Sequence, residues 1–415
     1  MAANTQPDSI AMQDQPALVD IRPLLQRLWP DPAKQNVTAD EISEALSYIF
    51  VNKLSPVQTG SLLTALHFTG WDRRADVLAG TSAAMRHHAA HIDFTALESA
   101  ISKRKRPEGR YNGGLVDIVG TGGDSHQTFN ISTTSSILAS SLLLLAKHGN
   151  RASTSKSGSA DLLMSMQPKP AQLARITPDT ISTVYDHTSY AFLFAPIFHP
   201  GMKSVAPIRK ELGWRTIFNL LGPLSNPLDK VIEARMLGVA RDDLGPVFAE
   251  ALRLAGAKKG LVVCGKEQLD EISCAGSTFC WQLVHNNGVV VVEHFELEPK
   301  DFGLTAHPLS TVSPGKEPHE NAEILRKVLQ DELPDDDPIL EFVLMNTAAL
   351  FVVSGICDAE TSDMGPGDDG QVIAERGPGG GRWKEGVRRA RWTIKSGEAW
   401  RQWCAFADVT NELPV

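Results

Sequence analysis

The stretch DIVGTGGDSHQTFNIST, residues 117–133, places three glycines and many polar side chains directly behind an apolar segment. LVDIVG (115–120) has the apolar, β-branched composition of a buried strand. Gly120, Gly122 and Gly123 allow the backbone to bend tightly and to bring its N–H groups against a ligand. The polar end of the stretch opens a helix, where free N–H groups and the helix dipole favour anions. The stretch therefore predicts a strand–loop–helix cradle for an anionic group such as phosphate.

A second segment has the same arrangement. AKHGNRASTSKSGSAD (146–161) follows an apolar strand and runs into the start of another helix. It supplies Lys147, Arg151 and Lys156 together with several serines, and cations combined with hydroxyls are typical of phosphate sites. Two such cradles at the carboxyl edge of one sheet fit a ligand with two separated phosphate groups. The alternatives are a tight turn with a capped helix for the first loop and a solvent-exposed surface for the second.

Adjacent carboxylates provide a candidate metal site. Asp270 and Glu271, in QLDEISCAGST, come shortly after the strand-like GLVVCG. Hard oxygen ligands of this kind suit Mg²⁺, which usually bridges protein carboxylates to substrate phosphates. The alternative interpretation is a solvated acidic pair at the start of a helix.

A further segment, 192–227, is rich in Phe, Pro, Met and Ile and could form the apolar walls of a pocket. Arg209 projects from its helical part, PIRKELG. An arginine beside apolar groups suits a carboxylate on an aromatic ring. The alternative is an ordinary arginine on a helix surface.

The organisation of the chain predicts an α/β protein with a separate helical unit. Residues 18–90 contain consecutive helical patterns, with capping signatures at Thr38-Ala39-Asp40-Glu41 and Ser55-Pro56-Val57-Gln58. From residue 115 onward, short apolar runs alternate with helical stretches, which indicates a mainly parallel sheet covered by helices. Residues 365–381 are dense in glycine and charge and predict a mobile surface insertion. The following segment, 383–403, predicts one final amphipathic helix.

The composition is that of an ordinary folded globular protein. The chain has 415 residues, of which 42% are hydrophobic and 21% charged, and its net charge is −9. This charge argues against nucleic acids or acidic membranes as constitutive partners. Five scattered cysteines without a CxxC pair favour reduced thiols over disulfides or a zinc site. The polar N-terminus lacks the features of a signal peptide, and no apolar run is long enough to span a bilayer. We therefore expect a soluble, cytoplasmic protein with no membrane partner.

Seven short motifs in register resemble those of one known family. GTGGD, NIST, KHGNR, SGSAD, HPxMK, RTIFNLLGPLxNP and DEIS occur in this order and look like the anthranilate phosphoribosyltransferase family of tryptophan biosynthesis. Any one of these motifs is weak evidence, but seven in order over some 150 residues are specific. The resemblance extends from about residue 18 to about residue 410.

The resemblance implies a fold of the nucleoside phosphorylase type, with a small all-helical domain hinged to a large α/β domain. The helical domain would comprise residues 16–92, joined by helices from about 199–222. The α/β domain, with its phosphate-binding loops, would comprise residues 112–198 and 223–412. A homodimer through the helical domain is also implied. The insertion 365–381 exceeds the compact bacterial pattern and suggests a fungal member of the family.

The resemblance also implies roles for individual residues. The site for 5-phosphoribosyl diphosphate would consist of Gly120, Gly123, Asp124, Thr128, Asn130, Ser132, Thr133, Lys147, Asn150, Ser155 and Ser159. The anthranilate site would consist of Gly120, His148, Asn150 and Arg209, with Arg209 at the carboxylate. The cofactor Mg²⁺ would be held by Ser132, Asp270 and Glu271.

The implied enzyme is a pentosyltransferase that moves the phosphoribosyl group from the diphosphate to the amine of anthranilate. Because the aromatic ring delocalises the lone pair of this amine, catalysis must act mainly on the leaving group, and no general base is required. One alternative is a pyrimidine nucleoside phosphorylase of the same fold, which would bind inorganic phosphate and need no Asp270-Glu271 metal pair. The other is a non-catalytic, nucleic-acid-binding relative, which would carry a net positive charge.

Overall fold

A computed structural model describes residues 17–152, 156–313 and 316–414. Within these residues, seven strands form one sheet in the order β3-β2-β1-β4-β5-β6-β7. The strands are β1 (Leu115–Gly120), β2 (Leu144–Gly149), β3 (Tyr190–Phe194), β4 (Ile232–Gly238), β5 (Lys259–Gly265), β6 (Thr278–Asn286) and β7 (Val289–Leu297). The first five pair in parallel, whereas β6 and β7 pair antiparallel at one edge. The predicted mainly parallel sheet is therefore confirmed.

The central strands are mostly apolar because helices cover both faces of the sheet. In β5, Leu261 and Val263 belong to the hydrophobic core on one face, whereas Val262 and Cys264 belong to the core on the other. Successive side chains of a strand point to opposite faces, so a strand covered on both sides has a continuous apolar run. This packing explains why LVDIVG and GLVVCG lack the alternation of a half-exposed strand.

Helices cover both faces. Those outside the helical unit are α5 (Phe94–Arg104), α6 (Ile131–Ala139), α7 (Ser159–Met164), α8 (Ile181–His187), α9 (Ala195–Phe198), α12 (Gly245–Leu254), α13 (Pro318–Leu329), α14 (Pro338–Ser354), α15 (Trp383–Lys395) and α16 (Glu398–Glu412). Helix α14 is buried on almost all sides between the sheet, α6 and α15, as its nearly uniform apolar sequence requires. None of the helices in the described ranges combines the length and apolar character needed to cross a membrane.

The N-terminal helices form a bundle that two later helices complete. The bundle consists of α1 (Arg22–Arg27), α2 (Ala39–Phe50), α3 (Pro56–Thr69), α4 (Ala75–His87), α10 (Met202–Leu212) and α11 (Phe218–Leu221). Both predicted N-caps are present: the Glu41 N–H donates to the Thr38 hydroxyl at 3.2 Å, and the Gln58 N–H donates to the Ser55 hydroxyl at 3.2 Å. Only the first is a full capping box, because the Gln58 side chain accepts from the Ile21 N–H. Helix α4 packs on α12, so the bundle shares a hydrophobic core with one face of the sheet.

Two local predictions need correction or addition. The segment 383–403 forms parts of two helices, not one, because Gly397 adopts a left-handed conformation with φ of 73° and ends the first. The antiparallel β6–β7 hairpin was not predicted. Its two-residue turn, Asn287-Gly288, has positive φ at both positions, as a tight hairpin turn requires.

The segment 365–381, predicted as a mobile insertion, makes several polar contacts with the body of the protein. The Asp368 carboxylate pairs with Arg388 at 3.0 Å, and the Ile373 N–H donates to the buried Glu385 carboxylate at 2.9 Å. These contacts connect the segment to the body of the protein, and its mobility stays a prediction from composition.

Candidate active site

The candidate site lies where the order of the strands reverses. From β1 the chain adds β2 and β3 on one side, and it then returns to add β4 and β5 on the other. The loops that leave neighbouring strands at such a point separate and leave a crevice at the carboxyl edge of the sheet. Here the loops after β1 and β2 and the segment after β5 line a cleft of about 650 Å³.

Asp270 lies directly across the ends of β1 and β4. The backbone N–H of Gly122 donates to its carboxylate at 2.7 Å. A Cβ atom at Gly120 would collide with the Asp270 carboxylate, and one at Gly238 would collide with the Asp270 backbone. The two strands therefore end in glycine because the acidic segment passes too close for any side chain.

Three carboxylates share the floor of this cleft. Burial and the neighbouring Asp270 carboxylate raise the pKa of Asp124 to about 8. Burial, Asp270 and Asp124 raise the pKa of Glu271 well above its usual range. The Thr128 hydroxyl donates to Glu271 at 3.4 Å, but a neutral donor does not neutralise the charge.

The acidic cluster is suited to a divalent cation. No group of three or more His, Cys, Asp or Glu side chains in the described part of the chain has the geometry of a complete protein metal site. Mg²⁺ rarely needs one, because it keeps several waters and binds one or two carboxylates together with substrate phosphates. Buried carboxylates whose pKa values are raised by mutual repulsion, next to an anion cradle, fit that requirement.

Lys147 supplies a buried positive charge beside the carboxylates. Its side chain is 2% exposed and donates to the Ile118 carbonyl at 2.9 Å and to the Ser132 hydroxyl at 3.3 Å. Burial lowers its pKa to about 8, although Asp117 and Glu271 favour the charged form. Near neutral pH the ammonium group therefore remains mostly protonated at the wall of the cleft.

Side chains join the two cradle loops into one unit. The Asn130 amide donates to the Ser157 carbonyl at 3.0 Å, and the Thr133 hydroxyl donates to the Ser159 hydroxyl at 2.9 Å. Asn321, from α13, donates to the Asn130 amide oxygen at 3.2 Å, and the Ser157 hydroxyl donates to the same oxygen at 3.3 Å, so that together they fix the orientation of that amide. The loops after β1 and β2 are thus held in register with each other.

Two buried histidines form part of the cleft wall and the region behind it. The rings of His148 and His199 lie 5.1 Å apart. Burial lowers the pKa of His148 to about 3 and that of His199 to about 4, and the proximity of His199 adds to the effect on His148. Both imidazoles are therefore neutral at pH 7, and neither resembles a poised general acid or base.

The structure brings most of the residues singled out in the sequence to this one cleft. Its lining includes Gly120, Gly123, Asp124, Thr128, Asn130, Ser132, Lys147, His148, Asn150, Ser159, Asp270 and Glu271. Thr133 lies fully buried behind the lining. Ser155 lies outside the described residues.

Arg209 does not line the cleft as it stands. It belongs to α10 of the helical bundle, and its guanidinium carbon lies 5.7 Å from the centre of the Phe218 ring. Burial and the nearby positive charge of Arg215 lower its pKa. Its predicted position at an aromatic carboxylate therefore requires a shift of the bundle towards the sheet.

Sequence reasoning missed some lining residues that lie far from the glycine loop in the chain. Arg215 and Asn219 reach the cleft from the segment around α11. Both belong to the RTIFNLLGPLSNP motif, which was the available signal, but nothing local to the motif indicates which side chain faces the sheet. Asn321 lies outside every motif, and only the packing of α13 brings it to Asn130.

Comparisons with known proteins identify the family. Residues 22–89 match the family model described as "Glycosyl transferase family, helical bundle domain", and residues 112–400 match "Glycosyl transferase family, a/b domain". The anthranilate phosphoribosyltransferase of Schizosaccharomyces pombe is 41% identical over 377 residues, which cover 91% of this chain and 94% of the relative. The chain belongs to the anthranilate phosphoribosyltransferase family.

Solved structures of this anthranilate phosphoribosyltransferase family have the same architecture. The Saccharomyces cerevisiae enzyme in complex with PRPP and Mg superimposes with a TM-score of 0.76 at 32% identity, covering 94% of this chain and 97% of that one. Its complex with 4-fluoroanthranilate gives a TM-score of 0.74 at 30% identity, with the same coverage. The likeness spans both the helical bundle and the sheet, so the fold predicted from the resemblance is confirmed.

We predict that Asn321→Ala loosens the second cradle loop without unfolding the protein. Without the Asn321 donor, only the Ser157 hydroxyl holds the Asn130 amide oxygen, and the hydrogen bond from this amide to the Ser157 carbonyl should open more often. Hydrogen–deuterium exchange of a peptide covering residues 156–164 should therefore become faster. Asn411→Ala, which removes an amide bound to Pro170 and Ala407, is the control and should leave that peptide unchanged. Unchanged exchange in Asn321→Ala would show that Asn321 does not hold the loop.

Proposed function

We propose that this protein transfers the 5-phosphoribosyl group of PRPP to the amine of anthranilate, giving N-(5-phosphoribosyl)anthranilate and diphosphate in tryptophan biosynthesis. The observation that carries this proposal is the junction of two anion cradles and an acidic cluster at one sheet edge. A phosphoribosyl diphosphate has two separated phosphate groups, and its diphosphate is a natural ligand for a divalent cation. The family of the chain supports the same reaction.

In this proposal the loops after β1 and β2 both bind PRPP. The diphosphate and ribose would lie against Gly120, Gly123, Asp124, Thr128, Asn130, Ser132 and Thr133, while Lys147, Asn150, Ser155 and Ser159 complete the site. Mg²⁺ would be held by Ser132, Asp270 and Glu271, and when bound it neutralises charge on the diphosphate. The Lys147 ammonium, fixed by Ile118 and Ser132, adds a positive charge from the wall.

The chemistry then requires no strong base. As the bond between C1 of the ribose and the diphosphate oxygen breaks, its electron pair leaves with the diphosphate. The amine lone pair forms the new C1–N bond, and the nitrogen, now acidic, releases its proton to solvent. The cradle N–H groups stabilise the departing charge, and closure of the cleft limits attack by water. The neutral state of His148 at pH 7 agrees with this scheme, because no proton has to be accepted by a side chain.

Anthranilate would bind on the bundle side of the cleft. Gly120, His148 and Asn150 would contact the ring and amine, and Arg209 would bind the carboxylate. Arg209 lies on α10, so closure of the bundle over the sheet would complete this part of the site. Such closure also removes water from the reacting atoms.

The acidic pair provides the direct test of the reaction. We predict that wild-type protein removes the fluorescence of anthranilate when PRPP and Mg²⁺ are added together. The double change Asp270→Asn with Glu271→Gln should abolish this turnover, since the ligands of Mg²⁺ are lost, while the circular dichroism spectrum stays the same.

The matched control is Asp335→Asn with Asp336→Asn, another adjacent acidic pair, which is exposed and lies outside the cleft. This variant should retain wild-type turnover. Undiminished turnover by the Asp270/Glu271 variant at limiting Mg²⁺ would reject the role of that pair. Release of a free base from uridine or thymidine with orthophosphate, in place of anthranilate consumption, would instead favour a pyrimidine nucleoside phosphorylase.

We predict that Arg209→Ala weakens the binding of anthranilate much more than the binding of PRPP. Loss of a partly buried ionic partner should cost about 2–5 kcal/mol of anthranilate binding. The measurement is the KM for each substrate, with Lys203→Ala, an exchange on the same helix, as the control. Equal losses for the two substrates would contradict the assignment of Arg209 to the carboxylate.

An exposed apolar surface on the helical bundle supports the proposal of a homodimer. Trp29, Val57 and Phe68 are exposed by 65%, 78% and 63%, and all three line an apolar groove of about 1010 Å³ on the bundle. Monomeric proteins rarely expose large apolar side chains so close together. A second copy of the chain, seated on this groove, would bury them, and the five cysteines without disulfides support a cytoplasmic location.

Breaking this surface should separate the dimer. We predict that Val57→Lys with Phe68→Lys shifts the protein from the dimer to the monomer mass in sedimentation velocity, because buried ammonium groups disfavour association. Val289→Lys, an exposed valine on the distant β6–β7 hairpin, is the control and should leave the mass unchanged. A wild-type monomer, or a dimer in the double variant, would reject this interface.

A further inference from the structure

Arg215 connects the helical bundle to the glycine loop. It lies in the segment between α10 and α11, and both of these helices pack on the bundle. Its guanidinium Nη2 donates to the carbonyl oxygen of Gly122 at 3.2 Å. A side chain carried by the bundle therefore already touches the first anion cradle.

The glycine loop is shaped around this guanidinium. Gly123 adopts φ of 80°, a conformation that side chains rarely tolerate, and a Cβ atom there would overlap Nη1 of Arg215. The guanidinium of Arg215 therefore lies directly against the backbone that would face the diphosphate. Its only hydrogen bond among the described residues is to one carbonyl, which leaves most of its five donors for another ligand.

The positively charged side chains around the cleft differ in their bonding partners. Lys147 donates to Ile118 and Ser132 at the wall, and Arg151 pairs with Asp161 at 3.5 Å. Arg215 forms no ion pair with any carboxylate of the described ranges, although acidic residues line the same cleft. An arginine side chain keeps its charge at physiological pH, so an exposed and unpaired guanidinium faces the cradle.

We infer that Arg215 is a catalytic residue that binds the diphosphate of PRPP and stabilises its charge as it leaves. This inference rests on the proposed function. When the diphosphate enters the loop, the weak contact to the Gly122 carbonyl is exchanged for charge-assisted bonds to phosphate oxygens. As the C1–O bond breaks, its electron pair adds charge to the diphosphate, and the two parallel donors of the guanidinium then bind it more tightly.

The same contact couples leaving-group capture to closure. Because Arg215 is carried by the bundle, its bonds to a diphosphate held on the sheet side draw the two parts together. Arg209 lies in the preceding helix and close enough for the two positive charges to interact. Neutralisation of Arg215 by the diphosphate relieves this repulsion and would let Arg209 approach the second substrate.

The test is the binding of pyrophosphate, measured by calorimetry at fixed Mg²⁺, in wild-type protein, Arg215→Ala and Arg215→Lys. We expect the affinity of Arg215→Ala for pyrophosphate to fall about 10–100-fold, because charge-assisted hydrogen bonds to the phosphate oxygens are lost. The kcat with PRPP and anthranilate should fall by about 10²–10³-fold. Arg215→Lys keeps the positive charge but lacks the paired donors of the guanidinium. Its pyrophosphate affinity and its kcat should lie between those of the wild type and Arg215→Ala. Arg241→Ala, which removes an exposed arginine paired with Asp243, is the control and should match wild type.

The outcomes separate this inference from the proposed function. Wild-type pyrophosphate affinity and kcat in Arg215→Ala would overturn the role of Arg215, while turnover by the wild type would still support the transferase. If Arg215→Ala lowers thermal stability but not pyrophosphate affinity, the proposed role is also overturned, because Arg215 would then only hold the bundle and the glycine loop together. If the wild type binds pyrophosphate through Arg215 but does not consume anthranilate, the role of Arg215 in diphosphate binding is supported and the proposed function fails. Absence of pyrophosphate binding by the wild type would overturn both.

Discussion

Three acidic side chains held close together, with only the Lys147 ammonium as a nearby buried positive charge, are the constraint on which the rest of this site depends. Asp270 can cross the ends of β1 and β4 only because both strands end in glycine. Its carboxylate then lies close enough to Asp124 and Glu271 to raise the pKa of each. Like charges in a partly buried cleft destabilise the folded protein, and a bound cation with its anionic ligand removes that cost. The cleft is therefore arranged for a ligand that brings positive and negative charge together.

The surrounding fold holds this arrangement in place. The parallel sheet is covered on both faces, and its order reverses at β1, which opens a crevice at the carboxyl edge. The hydrogen bond between Thr133 and Ser159 joins the two loops. The Asn130 amide forms a second link between them, and Asn321 helps to hold that amide in place. A site assembled from loops is thus supported by rigid elements, which is what precise binding of a phosphorylated sugar requires. The bundle adds arginines from the opposite side, and its shared core with α12 ties it to the sheet.

The parts of this account that sequence predicted are those with a local physical cause. The glycine loop, the capped helices and the apolar strands each follow from neighbouring residues, and the acidic pair stands out because its two carboxylates are adjacent. Arg215 was missed because its role depends on where a helix from the bundle ends relative to a strand about one hundred residues earlier. Asn321 was missed for the same reason. The break at Gly397 was missed because the amphipathic pattern continues on both sides of the glycine, although the glycine itself was a visible signal.

The central claim is that two linked cradles and a divalent cation jointly hold a doubly phosphorylated sugar. Calorimetric titration of PRPP into the folded full-length protein, with Mg²⁺ and again with a chelator, tests it most directly. The account predicts saturable binding of one PRPP per chain with Mg²⁺, at least about tenfold weaker when the cation is removed. It also predicts that ribose 5-phosphate, which can occupy only one cradle, binds more weakly than PRPP in the presence of Mg²⁺. No uptake of PRPP with Mg²⁺ present, or the same affinity with and without the cation, would contradict the account.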